Sequence, residues 1–412
     1  MPADLASPTR GIGHSLYCFA TDVVDEGAEV LLENAVKRAG IDSLTLAAKY
    51  HAVRDVYPHN PVRRVAQVAP GVFWRPDASR YAGERLQARP SSDAAGRDVL
   101  ADLCTAAAGR GVDVSAWIVL LHHDGNLADL VGVQQNCFAD PMPGQLCPSN
   151  PDVVRFAELL IEEVATYPVE TIRLESAHFH GFGHGHHHER LPEPLGALGE
   201  FLLGLCFCPS CTDDAGAHGI DAASFADRCR RRLDQHFTGE DQPTGLDPAA
   251  LEEVLGPVAR PFLTWRCGVV EALVARLVRI ARAADKRVTF IEQSVASQAY
   301  ASGSRSRPLQ DDQWVFGVSP SELISTGASL ELTGYLSAPD GLASTLAEYR
   351  GVLGPYGELS LLLRTGSPDC DGAANLRQKL LVARRAGCSE VNFYNYGNYP
   401  LSSLDRVREA LA

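Results

Sequence analysis

The sequence TIRLESAHFHGFGHGHHHERLPEPLGALGEFLLGLCFCPSC occupies residues 171–211, and the rest of the chain is best interpreted around it. It begins with a short apolar run that ends on the carboxylate Glu175, continues with a histidine-rich loop and closes with three cysteines. A short apolar run of this kind is typical of a buried parallel strand. The sequence on either side should therefore supply the other strands and helices of an α/β domain.

Short apolar runs alternate with amphipathic helical segments along the whole chain. This alternation predicts one α/β domain over residues 1–412, a single (β/α)8 TIM barrel. A long insertion after strand 4, at 177–257, carries the histidine-rich loop and the cysteine motif. The predicted strands are 15–22, 43–51, 112–123, 169–176, 287–294, 328–335, 358–366 and 390–397, and the predicted helices are 27–39, 93–109, 151–166, 258–284, 341–353, 373–387 and 402–411.

Composition narrows the class of protein. The 412 residues are 45% hydrophobic and 21% charged, which is typical of a folded globular chain. A net charge of −14 without a basic run argues against a nucleic-acid partner. No stretch is apolar enough to span a membrane, and MPADLASPTRGIG does not look like a signal peptide. With most of the eleven cysteines placed singly in apolar segments, we expect a cytoplasmic protein with reduced thiols.

The residues that end the predicted strands are the candidates for chemistry, because active residues of such barrels lie at the C-terminal ends of strands. Glutamates in this position are costly to bury unless they are paired or functional. A structural alternative is that each forms a salt bridge within the barrel, Glu175 with Arg173 or Lys49. The candidates are Asp22, Lys49, His51, His122, Arg173, Glu175, Glu292, Glu331, Arg364, Tyr394 and Asn395.

Carboxylates surrounded by histidine, tyrosine and arginine indicate a carbohydrate site. Glycoside hydrolysis needs one carboxyl group to protonate the leaving oxygen and another to attack or to activate water. We interpret Glu175 as the acid/base, and Glu331 or else Glu292 as the nucleophile or base. The other strand-end residues would bind sugar hydroxyls, and Trp74 could stack on a sugar ring, whereas Trp117 looks like a core residue.

The cysteine motif predicts a metal site. Cys206, Cys208 and Cys211 form C-x-C-x-x-C, and a closed tetrahedral zinc site needs a fourth ligand. Cys147 in QLCPSNP is the best fourth, with Cys137 and Cys229 in reserve. The alternative is a set of buried cysteines that hold no metal.

A strand-end glutamate followed by C-x-C-x-x-C, with an upstream cysteine in CPSNP, resembles the family 42 β-galactosidases. The resemblance implies a catalytic barrel, a structural zinc ion on Cys147, Cys206, Cys208 and Cys211, and Glu175 as the acid/base; it also implies homo-oligomers. Two features depart from that family. Leu174 stands where the family has asparagine, and strand 7 ends in LLLRTGSPDCD without the glutamate nucleophile.

The histidines allow a second hypothesis. His178 and His180 would share one side of a continuing strand, and His184, His186, His187 and His188 follow closely. Imidazoles in this number suit a transition metal, so His178 and His180 could hold a second, catalytic ion in a hydrolase, lyase or isomerase. They could equally bind sugar hydroxyls or nothing. A third hypothesis is a non-catalytic carbohydrate-binding barrel.

Overall fold

The computed structural model describes residues 12–124, 130–183, 194–239, 246, 251–355 and 357–412. Eight parallel strands form its centre, and the first pairs with both the second and the eighth, so the sheet closes into a barrel. The predicted single (β/α)8 barrel is confirmed. Its strands are β1 (Leu16–Cys18), β2 (Ser43–Tyr50), β3 (Asp113–Val119), β4 (Thr171–Glu175), β5 (Arg287–Glu292), β6 (Ser329–Thr333), β7 (Leu359–Arg364) and β8 (Glu390–Tyr394).

Helices surround this barrel and follow the strands in the predicted order. The helices outside the insertion are Ala20–Asp25, Ala28–Glu33 continued by a π-helix at Asn34–Ala39, Val99–Ala108, Pro151–Val164, Ala259–Ala283, Ser294–Ala299, Leu309–Phe316, Pro320–Ser325, Pro339–Leu353, Ala373–Arg385 and Ser402–Leu411, with 3-10 turns at Ala78–Tyr81 and Ser92–Ala94. Among the described residues, no helix combines the length and the apolar character that a membrane span requires.

Additional short strands form in the loops that follow β2 and β3. Val53–Val56 pairs with Val65–Val68, Gly71–Val72 runs antiparallel to the end of β2, and Val133–Gln135 pairs with Pro141–Leu146. The long insertion adds four helices to the described part of the chain. They are Gly196–Gly204, Pro209–Ala217, Ala222–Phe237 and Leu251–Leu255.

The inside of the barrel is polar, whereas the faces of the strands that meet the helices are apolar. Successive side chains of a strand point to opposite faces. On β4, Ile172 and Leu174 therefore pack outward, and Arg173 and Glu175 point inward. Neighbouring strands also place polar groups inside: the hydroxyl oxygens of Thr289 and Ser329 lie 2.9 Å apart.

The first long loop is fixed to the helix Pro151–Val164. The carboxylate of Glu163 accepts hydrogen bonds from Trp74 Nε1 at 2.9 Å, the Tyr81 hydroxyl at 2.8 Å and the Asp77 amide at 2.6 Å. Trp74 is 1% exposed. The expectation that Trp74 stacks on a sugar ring is wrong, because its ring is enclosed by the loop that it anchors.

Candidate active site at the C-terminal end of the barrel

Glu175 ends β4 at the mouth of the barrel, and two side chains hold it. Trp117 Nε1, on β3, donates a hydrogen bond to Oε2 at 2.6 Å, and Gln293 Nε2, just after β5, donates one to Oε1 at 2.9 Å. Trp117 aligns with Arg173 across the β3–β4 pair, so its indole points inward. Both carboxylate oxygens are thus fixed by neutral donors rather than by a salt bridge.

The surroundings of Glu175 favour its protonated form. Burial raises the pKa of Glu175 to about 7, and the negative charge of Glu331 acts in the same direction. The hydrogen bonds from Trp117 and Gln293 lower the pKa, because they stabilise the carboxylate, but they do not cancel the effect of burial. A carboxyl group that titrates near neutral pH can both donate and accept a proton.

Aromatic rings line the mouth around Glu175. Trp117 contacts Tyr50 with ring centroids 5.0 Å apart, and Tyr394 lies 6.1 Å from both Trp117 and Tyr335. Phe19 lies 6.3 Å from Tyr394 at an angle of 90°. Tyr394 is partly exposed and can offer its face to the apolar side of a sugar ring, whereas the other rings are buried behind it.

Glu331 lies inside the barrel, beneath the mouth. It is 0% exposed and accepts hydrogen bonds from the Tyr17 hydroxyl, from Arg173 at 3.2 Å and from Asn392 at 2.5 Å. Arg173 also donates to Glu390 at 2.7 Å. The structure therefore brings Glu331 and Arg173 together as a buried ion pair, and it encloses both.

Glu292 points away from the mouth. Thr289 aligns with Arg173, so Thr289, Ile291 and Gln293 face inward and Glu292 faces the helices. Its carboxylate accepts hydrogen bonds from Ser294 and from the Tyr349 hydroxyl on the helix Pro339–Leu353, and burial raises its pKa. The structure does not bring Glu292 to Glu175.

Arg364, at the end of β7, supports the aromatic wall. Its guanidinium donates two hydrogen bonds of 2.6 Å to Asp369 and lies over the ring of Tyr335, 4.4 Å from the centroid. Because both ends of this contact are fixed, Arg364 orients Tyr335 toward Tyr394.

Asp22 and Asn395 lie in buried positions behind the mouth. Asp22, in the helix that follows β1, accepts the Phe19 amide at 2.8 Å and is 0% exposed. Burial raises its pKa to about 8. Asn395 is 1% exposed and accepts the Asn398 amide at 2.9 Å. Neither side chain reaches an open surface at which a substrate would bind.

A second polar group lies beside the aromatic wall, at the ends of β2 and β3. The rings of His51 and His122 stack 4.4 Å apart, and His51 also stacks on Tyr50 at 4.3 Å. Lys49 donates to the backbone carbonyls of Val119, Leu120 and His122, and burial lowers its pKa to about 7. Burial lowers the pKa of His51 to about 4.

His178 and His180 are buried beyond the end of β4. The ring nitrogens of His178 have partners, with Nδ1 2.6 Å from the Phe179 carbonyl and Nε2 3.0 Å from Gln293 Oε1. His180 lies 5.5 Å from the His178 ring and 6.1 Å from that of His122. Neither belongs to a metal-ligating group within the described ranges. His184, His186, His187 and His188 lie outside the described residues.

The four predicted cysteines meet at one point. The Cys147 sulfur lies 3.4, 3.6 and 3.9 Å from those of Cys211, Cys208 and Cys206, and all four are buried. Four thiolates around a tetrahedral zinc ion would have sulfurs about 3.8 Å apart, given Zn–S bonds of about 2.3 Å. The group therefore fits such an ion. Cys137 and Cys229 are buried elsewhere and do not join this group.

Sequence reasoning missed the two residues that hold Glu175. Trp117 was assigned to the core because its strand is apolar, although Ser115 and Val119 share its inward face. Gln293 was overlooked because the preceding residue, Glu292, is a carboxylate and is itself the strand-end candidate. Both could have been found from the alternation of inward and outward side chains along β3 and β5, once Trp117 and Thr289 are known to align with Arg173.

Comparison with known proteins finds similar folds but no matching sequence. No protein-family model matches the chain, and no curated protein matches its sequence. Among solved structures, the glycoside hydrolase domain of PgaB (BpsB) from Bordetella bronchiseptica is similar with a TM-score of 0.55 and 14% identity, over 97% of this chain and 98% of that one. The chain has a glycoside-hydrolase-like fold.

Two further structures agree at the level of fold. The β-galactosidase from the psychrophilic Marinomonas ef1 has a TM-score of 0.55 and 10% identity over 97% of this chain, which spans 59% of that protein. The C-terminal domain of a putative chitinase from Desulfitobacterium hafniense DCB-2 has a TM-score of 0.50 and 8% identity, over 98% of this chain and 99% of that one. At such identities the similarity shows the barrel alone.

Proposed function

We propose that the protein hydrolyses a small glycoside or an oligosaccharide, with Glu175 as the general acid/base. The observation that carries the proposal is a carboxyl group at the mouth of a glycoside-hydrolase-like barrel whose pKa is raised to about 7. A group of this pKa can protonate the leaving glycosidic oxygen and then accept a proton from water. Tyr394, which is partly exposed, would contact the sugar ring, and the buried rings of Trp117, Tyr50 and Tyr335 would support it.

Glu331 would act on Glu175 through its charge rather than by contact with the sugar. It is enclosed by Tyr17, Arg173 and Asn392, and its field raises the pKa of Glu175. Glu292 would support the helix layer through Tyr349. In this proposal the group that attacks the anomeric carbon is water or a neighbouring group of the substrate. Of the two catalytic carboxylates that the resemblance to the β-galactosidases implies, the proposal keeps the acid/base alone.

The four-cysteine group would hold a structural zinc ion. The support is the packing of four buried sulfurs at 3.4 to 3.9 Å from Cys147 to the other three. Cys147 precedes the helix Pro151–Val164, and the other three lie in the insertion. When bound, the ion would fasten the insertion to the barrel, close to β4 and Glu175.

Glycosides with poor and good leaving groups test the acid/base assignment. Glu175→Gln should lose about 100- to 10,000-fold in kcat/KM on an unactivated oligosaccharide, because general-acid catalysis contributes about this much. It should lose much less on a dinitrophenyl glycoside, whose leaving group needs no proton. Glu170→Gln, on the exposed opposite end of the barrel, is the matched control and should behave as wild type. Equal losses on both substrates would contradict the assignment.

A carbohydrate-binding barrel without turnover is the second candidate. The observation that favours it is the enclosure of both Glu331 and Glu292 within the described structure, which leaves Glu175 without a second carboxylate in contact. Calorimetry with oligosaccharides would then show binding that Trp117→Ala abolishes, while no reducing ends are released.

We also propose a reducing, cytoplasmic location. All eleven cysteines lie in the described residues, and none forms a disulfide. This is the state expected where thiols stay reduced. Fractionation of the producing cells, followed by thiol titration of the denatured protein, would test the proposal.

A further inference from the structure

Two histidines and an aspartate converge beside the 430 Å³ cavity that lies under the first long loop. His51 follows β2, and His122 and Asp124 follow β3. One donor atom from each lies within 4.8 Å of the other two. His122 is buried, whereas His51 and Asp124 are only partly so. These three residues form the HHD group, which is distinct from the four cysteines and from Glu175.

The geometry of the HHD group points to a metal ion, and we propose that it binds a divalent transition metal such as Zn²⁺. His122 Nε2 lies 3.3 Å from Asp124 Oδ1. Two ligand atoms at about 2.0–2.1 Å from a tetrahedral ion are about 3.3–3.4 Å apart. A metal ion could therefore bind both of these atoms without moving either one.

Hydrogen bonds to the backbone orient the side chains of the group, as they do around the ligands of metal sites. His51 Nδ1 donates to the Ala52 carbonyl at 2.8 Å, which leaves Nε2 with its lone pair. Asp124 Oδ2 accepts the Ala52 amide at 2.7 Å, so Oδ1 is directed to His122. One residue, Ala52, thus fixes two of the three ligands through its backbone. Binding would turn the His51 ring out of its stack on His122, because two parallel rings 4.4 Å apart cannot both direct a nitrogen lone pair at one ion.

The open side of the group predicts the ligand class. A metal ion with three protein ligands keeps a coordination position for water or for an oxygen of a bound molecule. His122 and Asp124 line the cavity together with Lys49, Arg85 and Arg89. The fourth ligand would therefore be an oxygen donor with negative charge, such as a carboxylate or a hydroxide.

Cobalt binding to the purified full-length protein tests the proposal. Co²⁺ alone serves as the probe, because thiolate ligands give it an intense charge-transfer absorption that nitrogen and oxygen ligands lack. The wild type should bind one ion with the thiolate spectrum and a second with the weak spectrum of nitrogen and oxygen ligands. His122→Ala and Asp124→Asn should each weaken the second ion by more than about 10-fold and leave the first unchanged.

Two controls keep the result interpretable. His123→Ala removes a neighbouring imidazole that packs on Phe156, so this variant should bind both ions as wild type does. A variant with serine at positions 184, 186, 187 and 188 should also keep the second ion. The proposal is overturned if the wild type binds no second ion, or if this serine variant loses it while His122→Ala and Asp124→Asn keep it. The unchanged thiolate spectrum in each variant shows that the fold is intact.

Discussion

The indole nitrogen of Trp117 on β3 donates a hydrogen bond of 2.6 Å to the carboxylate of Glu175 on β4. This bond stabilises the ionised form of the carboxyl group, whereas burial and the charge of Glu331 stabilise the protonated form. The balance among these effects places the titration of Glu175 near neutral pH, and each can be changed separately.

The pH dependence of hydrolysis should reveal this balance. In the proposed mechanism the acid form of Glu175 is the active one, and burial raises its pKa to about 7, so kcat/KM should fall as the pH rises through about 7. Trp117→Phe removes a bond that lowers the pKa, so the alkaline limb should move to higher pH. If the alkaline limb does not move in this variant, the group that controls the pH dependence is not Glu175.

Removing one partner of the buried Arg173–Glu331 pair should destabilise the barrel. Glu331→Leu should cost about 3–5 kcal/mol in the free energy of unfolding, because it removes the enclosed partner of the buried Arg173 charge and leaves only the partly exposed Glu390. Urea denaturation of Glu331→Leu, Arg173→Met and the double variant would measure this. The double variant should lose less than the sum of the single variants. Simple additivity would show that the two charges do not interact.

Glu292 should contribute to the stability of the fold rather than to catalytic activity. Tyr349→Phe removes a donor from the buried Glu292 carboxylate and should cost about 1–3 kcal/mol in unfolding free energy. Activity per folded molecule should not change, because the pair lies in the helix layer. Thermal denaturation and an active-fraction assay on the same preparation would check both halves. A large loss of kcat with normal stability would instead indicate that Glu292 contributes to catalysis.

The four-cysteine group should behave as a structural metal site. Cys208→Ser should lose one equivalent of zinc and lower Tm, because metal binding to such a site contributes to folding. Cys267→Ser, on the helix Ala259–Ala283 and outside the cluster, is the matched control. Elemental analysis and calorimetric melting would decide the matter. Equal zinc content in the two variants would exclude the cluster as the ligand set.

The sequence sufficed for the barrel because each strand is a short apolar run between helices, and that signal is local. It also sufficed for the cysteines, since three of the four lie within six positions of one another. It did not suffice for the partners of Glu175. Whether Glu292 or Gln293 faces the barrel depends on how β5 aligns with β4, which is a relation between distant segments. The HHD group was missed as a unit for the same reason, although His51 and His122 were both singled out.

The contact between Cys147 and Cys211 affects which changes in sequence length the protein can tolerate. The contact joins positions 64 residues apart, so the segment after β4 is held at one end by the barrel and at the other by the four cysteines. For a loop with fixed ends, the conformational entropy lost on closure grows slowly, and doubling the length costs only about 0.6 kcal/mol. Insertions and deletions in the histidine-rich stretch should therefore be tolerated almost without effect on folding. Related chains could therefore differ freely in that stretch while keeping the same barrel.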